Sequence, residues 1–122
     1  MKFLYSSLRE YKKGWLYMDK QYSRMSPKEI EEEIAELRVL AQKAEAKGMI
    51  NEYAVHERKI IMAEAYLLDP AMFKPREKYQ IKGTPEEVFT IRYLNGVFAW
   101  GHRNDASKLE AVPISILENR MQ

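Results

Sequence analysis

The side chains best able to do chemistry are His56, His102, Glu57 and the glutamates between Glu29 and Glu36. Glu52 lies four residues before His56, so a helix puts both on one side. A metal centre needs at least three suitable ligands, and no third is spaced to join them. His56-Glu57 runs on into Arg58-Lys59-Ile60, which breaks the His-Glu-x-x-His zinc pattern. His102 falls at the end of an aromatic strand, where packing or a rim hydrogen bond explains it better than general-base work. Phosphate-binding glycine loops and the G-x-S-x-G nucleophile elbow are absent from the chain. Ser26 and Ser115 both have local structural uses. Glu57 falls between two apolar stripes of a helix and, if enclosed, needs a partner; Arg38, Arg58 and Arg92 are the candidates for a structural ion pair. The chain therefore reads as non-enzymatic, with no catalytic residues, cofactor, metal or small-molecule substrate indicated.

Composition narrows the class further. The 122 residues are 46% hydrophobic and 31% charged, which suits a folded chain of one domain or two small lobes. There is no Cys, which rules out disulfides, thiolate metal sites and a Cys nucleophile, and predicts a reducing, cytoplasmic setting. No apolar run approaches the roughly 20 residues of a membrane span. The net charge is +2, distributed as six basic against two acidic residues over 1–25, six against ten over 26–70, and eight against six over 71–122. That balance is weaker than the cationic face of a typical nucleic-acid binder.

The elements that must position these groups begin with an unusual N-terminus. Leu4, Leu8, Tyr11 and Trp15 recur at helical spacing beside Arg9, Lys12 and Lys13. A membrane-surface helix is one reading of that pattern. A frayed terminal helix or a non-native segment is the simpler one. Lys12-Lys13-Gly14-Trp15 requires purine-rich codons of the kind found in a ribosome-binding site, so translation is expected to start at Met18. Residues 1–17 are accordingly read as an extension, 18–70 as a helical hairpin and 71–122 as a small β-barrel.

Ser26-Pro27-Lys28-Glu29 is a helix start, with Ser26 as N-cap, Pro27 at the first helical position and Glu29 closing a capping box. Ile30, Ile34, Leu37, Ala41 and Ala44 then mark one apolar face. The early glutamates favour the positive end of the helix dipole, which makes them a solvated face rather than a cation site. Gly48 supplies the left-handed residue that ends the helix. A second helix is predicted from about 49–51 to Leu68, stopped by Asp69-Pro70, and folded back on the first. Its apolar pattern is broad enough to contact both the first helix and the barrel, with Val55, Met62 and Tyr66 left on the far side.

Residues 70–77 read as a linker, Lys78 to Lys82 as a strand, and Gly83-Thr84-Pro85-Glu86 as a turn. Val88 to Arg103 is a hairpin about Asn95-Gly96, predicted as a type I′ turn. That register pairs Leu94 with Val97, Tyr93 with Phe98, Ile91 with Trp100 and Phe89 with His102. It makes Phe89, Ile91, Tyr93, Phe98, Trp100 and His102 the core face. Thr90, Arg92 and Arg103 fall on the wetter one. Leu109 to Val112 is a further strand, and 113–117 a short 3₁₀ turn or terminal strand. Short strands at this spacing favour a closed barrel, which has no exposed edges.

The strings NEYAVHERKIIMAEAYLLDP (51–70), FTIRYLNGVFAWGHR (89–103) and AVPISILE (111–118) resemble the YfhH-like family of small, uncharacterised bacterial proteins. The resemblance covers about Met18 to Glu118. It implies an α+β fold in which an N-terminal antiparallel helical hairpin is packed on a C-terminal SH3-like small β-barrel, a start near Met18, and a role in transcriptional regulation with no defined site residues. The expected function is binding or regulatory, through an unknown protein partner or self-association, motivated by the surplus apolar residues of the second helix. The alternative is nucleic-acid binding in transcriptional control, through Arg92, Arg103, Lys78 and Lys82 with the basic tail at Arg120.

Overall fold

The computed structural model describes residues 22–121, and the expectations for the N-terminal 17 residues lie outside them. The described chain forms two compact units that divide between Leu67 and Leu68. It is α+β: two helices, then a five-stranded antiparallel sheet.

In the first unit, helix α1 spans Pro27–Ala46 and helix α2 spans Ile50–Ala65. The capping box forms as its residues dictate. The Glu29 amide donates to Ser26 Oγ at 3.2 Å, and the Ser26 amide donates to Glu29 Oε1 at 2.9 Å. Accepting the Ser26 backbone N–H, and its proximity to the Ser26 side chain, hold the Glu29 carboxyl below its ordinary range. The apolar face of α1 is buried at Ile30, Ile34, Leu37, Ala41 and Ala44, the five positions the periodicity marks. Gly48 takes a φ of 71°, and the chain turns into α2. That helix ends at Ala65, one turn sooner than predicted, because Asp69 instead caps a 3₁₀ turn over Pro70–Met72 by accepting from the Ala71 amide. Buried residues run continuously through Ile60, Ile61, Met62 and Ala63. Met62, placed on a free far side by the sequence, is 0% exposed, and Val55 and Tyr66 are half-buried.

In the second unit, β1 is Lys78–Ile81, β2 Thr84–Asn95, β3 Phe98–Arg103, β4 Glu110–Pro113 and β5 Leu117–Met121. The turn between β1 and β2 is Lys82-Gly83, so Thr84-Pro85-Glu86 already belongs to the strand rather than to a turn. The strand order is β4-β3-β2-β1-β5. The predicted closure is not made: β4 and β5 lie at opposite ends of the sheet order. They are joined by a 3₁₀ turn over Ile114–Ile116. The Ile114 amide bonds the Val97 carbonyl at one end of this turn, and the Lys82 amide bonds the Ile116 carbonyl at the other. Three residues at about 2 Å each cannot span five flat strands, so the sheet curls and the two edge strands approach each other without pairing. Ile81, Phe89, Ile91, Ala99, Val112 and Ile114 form the core of this unit.

The central hairpin corrects the predicted register. Asn95 pairs with Phe98, so the two-residue turn is Gly96-Val97. Gly96 has a φ of 59°, while Val97 is not among the positive-φ residues. A positive φ at the first central position alone is the type II′ pattern, which takes Gly there, rather than I′. A β-bulge at Arg92 then shifts the pairing, from Tyr93 with Trp100 on one side to Ile91 with Gly101 on the other. One extra residue reverses which face each later side chain meets. Phe89, Ile91 and Phe98 are core, as predicted, but so are Ala99 and Arg103. Tyr93 is 42% exposed, and Trp100 and His102 are half-buried. Gly101 is required opposite the bulge, because a Cβ there would meet the Thr90 carbonyl oxygen at 2.0 Å.

Candidate functional site

The bulge gathers a set of outward side chains on the sheet. Thr90, Arg92 and Tyr93 come from β2, Trp100 and His102 from β3, and Lys78 from β1, where it pairs with Thr90. Arg92 and Lys78 are exposed. The Tyr93 and Trp100 rings stack nearly parallel, 7° apart in plane, with centroids 5.9 Å apart. Arg92 sits beside Tyr93 in the bulge, on the sheet face where alternation from Thr90 puts it. His102 Nδ1 lies 3.1 Å from the Lys108 carbonyl oxygen. A carbonyl only accepts, so Nδ1 carries the hydrogen in this contact.

Two shallow hollows border this set and share Lys78, Thr90 and Asp105. One, of about 480 Å³, adds His102, Ala106 and Ser107. The other, of about 300 Å³, adds Val88, Asn104 and Met121. Their wall is the β3–β4 loop. Asn104 and Asp105 both take left-handed φ values, 50° and 61°, in a turn closed by the Ala106 amide on the Arg103 carbonyl at 3.0 Å. Asn104 is clamped to Val88, donating its amide to the Val88 carbonyl and accepting the Val88 amide on Oδ1, both at 2.8 Å. The loop is therefore held in place, and Asp105 with it.

The four predicted contact residues do not stay together. Lys78 and Arg92 share the exposed face. Lys82 is half-buried in the turn at the far end of β1. Arg103 is not a surface residue at all: its side chain is 3% exposed. It donates Nε to Glu110 Oε1 at 2.7 Å and Nη1 to Glu87 Oε2, and Glu87 also accepts from the Thr84 hydroxyl at 3.3 Å. Burial alone would lower the Arg103 pKa, but the hydrogen bonds to Glu87 and Glu110 outweigh it and raise it. Nη2 of Arg103 is buried with no hydrogen-bond partner among the described residues. Arg120 is engaged as well, donating to Glu77 at 2.9 Å. Glu77 also accepts the Lys74 amide and the Tyr79 hydroxyl. The Lys74 amide contributes most to holding the Glu77 carboxyl below its ordinary range, followed by Arg120 and Tyr79. Burial and the Glu77 carboxylate push the Tyr79 hydroxyl up to about 12.

Glu57 is half-buried, yet the candidate Arg38 forms its ion pair with Glu64 instead, at 3.1 Å. Desolvation raises the Glu57 pKa; Arg38 opposes this through space, while Glu64 and Glu45 add to it. His56 stays on α2 with its Nδ1 buried and without a partner among the described residues. The outward-facing Tyr93–Trp100 pair, with Tyr93 exposed and Trp100 half-buried, is the feature the sequence does not reveal. Strand alternation about Asn95-Gly96 puts both residues in the core, and Gly101 is the sequence signal for the bulge opposite it that turns them outward.

No helix of the described residues is long and apolar enough to cross a membrane. The family model described as "Protein of unknown function (DUF1811)" matches residues 20–118. "Uncharacterized protein YfhH" of Bacillus subtilis (strain 168) is 54% identical over 104 residues, covering 84% of this chain and 99% of that protein. With this match over nearly the whole described chain, the protein belongs to the YfhH-like family of uncharacterised bacterial proteins, whose function is unknown.

Proposed function

We propose that this is a non-enzymatic binding protein, and that the outward face of its sheet contacts single-stranded nucleic acid. The observation that carries the reading is the nearly parallel Tyr93–Trp100 stack, with Tyr93 exposed and Trp100 half-buried, and the exposed Arg92 beside it. An aromatic platform offers any base a π-face, a guanidinium next to it suits the phosphate chain, and each stacked base contributes about 1–3 kcal/mol. A duplex, whose bases are already stacked, offers such a platform little. We also read the sheet as a partly open SH3-like barrel. The antiparallel order and the 3₁₀ crossing between β4 and β5 support that reading.

The competing reading, a protein partner or second copy on the barrel or hairpin surface, loses the support of the three apolar residues that motivate it. Met62 is fully buried, and Val55 and Tyr66 are half-buried. Enzyme chemistry finds little support either, since the charged groups best placed for it are already engaged: Arg103 with two carboxylates, Glu77 with Arg120, and His102 Nδ1 with a carbonyl.

Fluorescence anisotropy with a labelled octanucleotide, of uridine or of thymidine, tests the reading. Tyr93→Ala should weaken binding by roughly 5- to 100-fold, the equivalent of one lost stack. Saturable binding that Tyr93→Ala leaves unchanged, or no binding to either strand at micromolar protein, refutes it. Binding by a protein fraction instead, with neither oligonucleotide bound, would restore the protein-partner reading.

A further inference from the structure

The hollow beside the aromatic pair has its own chemistry. Its donors converge from three places: the Lys78 ammonium on β1, the Thr90 hydroxyl on β2 and the Ser107 hydroxyl on the β3–β4 loop. Lys78 and Thr90 are direct cross-strand partners, so their side chains stand next to each other on one face. On β3, His102 and Trp100 are successive outward positions, which sets the hollow about 7 Å along the strand from the aromatic platform. A nucleotide places its phosphate within that reach of its base.

We infer that Lys78, Thr90 and Ser107 form a phosphate subsite that holds the backbone of a strand whose base lies on Tyr93 and Trp100. This rests on the nucleic-acid reading above and adds a direction to it: base toward the hairpin turn, phosphate toward the β3–β4 loop. The ligand class is a phosphodiester with an adjacent base. Lys78 supplies the charge and the two hydroxyls supply directed hydrogen bonds, the combination that fixes a strand without reading its sequence. Asp105 is the one carboxylate on this hollow, and it opposes the ligand. The clamp of Asn104 on Val88 keeps it there. One ammonium against one carboxylate makes the subsite weak, so it suits a strand that is held and released rather than locked. His102, with Nδ1 engaged by the Lys108 carbonyl, ties the loop that carries Asp105 and Ser107 to β3.

The test measures octanucleotide binding across a chloride series for the intact protein, Lys78→Gln, Asp105→Asn and Tyr93→Ala, with uridine and thymidine strands as separate arms. The wild-type slope of log affinity against log salt should be negative, and Lys78→Gln should make it shallower by about 0.7, the value of one phosphate contact on a single strand. Asp105→Asn should tighten binding at every salt concentration. Tyr93→Ala should weaken binding while leaving the slope unchanged, since stacking releases no counterions. A Lys78→Gln slope equal to wild type, with Tyr93→Ala still impaired, overturns the subsite and leaves the aromatic reading standing. Loss of all binding in the wild type overturns both. Lys78 and Asp105 are exposed, so neither substitution should disturb folding, which circular dichroism of each variant checks.

Discussion

Replacing Arg103 with Met is the sharpest test of how the sheet is held together. The change keeps the volume and flexibility of the side chain but removes its charge. It leaves two carboxylates without their cation. Glu87 is 19% exposed and can recover water, whereas Glu110 is 3% exposed and cannot without opening the sheet. Removing one partner of a buried pair costs about 3–5 kcal/mol, and most of that falls on Glu110. Total stability for a domain of this size is on the order of 5–15 kcal/mol, so the variant should sit near the edge of unfolding. Glu110→Gln retains an acceptor and the Arg103–Glu87 pair, and should cost less, roughly 1–3 kcal/mol. Substituting all three charged residues by apolar ones of similar volume should restore stability to within about 1 kcal/mol of wild type, because no charge is then left stranded. Urea unfolding followed by circular dichroism gives all three values. The reasoning fails if Arg103→Met lies within about 1 kcal/mol of wild type, the outcome expected of a surface pair.

Three further outcomes follow from the same geometry. Gly101→Ala must push a methyl group against the Thr90 backbone, which cannot rotate away, and should destabilise the sheet by about 3 kcal/mol, read as a lower urea midpoint. Ser26→Ala removes the acceptor for the Glu29 amide and should cost about 1 kcal/mol, whereas Ser26→Asp should not. Burial raises the Glu57 pKa, so the folded chain holds that proton more tightly than the unfolded one; its stabilisation is present below the unfolded value and lost as pH rises through the folded one. Glu57→Gln should therefore raise stability at neutral pH by roughly 0.5 kcal/mol, a figure reduced for solvent screening, with the gain fading toward pH ~4; a loss at neutral pH would contradict it.

Local rules account for much of this molecule. The start of α1, its buried face and the existence of a hairpin near Gly96 follow from residues within a few positions of one another: an N-cap and its reciprocal Glu, an i, i+3, i+4 repeat, and a glycine where φ is positive. The succession of two helices and several short strands was legible for the same reason. The candidate site was not. Lys78 and Arg92 stood out as basic residues, but so did Arg103, and nothing in its neighbourhood distinguishes a solvated arginine from one enclosed by Glu87 and Glu110.

What tertiary structure decided is the side on which each side chain lands. Strand alternation has a period of two, so a turn placed one residue along and a single bulge at Arg92 carry Tyr93 from the expected core to the surface, leave Trp100 half-buried on the outer face, and take Arg103 from the surface to the core. Closure was decided in the same way. The hydrophobic pattern predicts a sheet, but only the tertiary pairing, β4 with β3 and β5 with β1, leaves β4 and β5 as its two edges. Element identity is encoded in neighbours along the chain. Facing and register depend on hydrogen bonds to residues far away in sequence, and on this sheet they decide whether an aromatic pair is enclosed in the core or reaches the outer face.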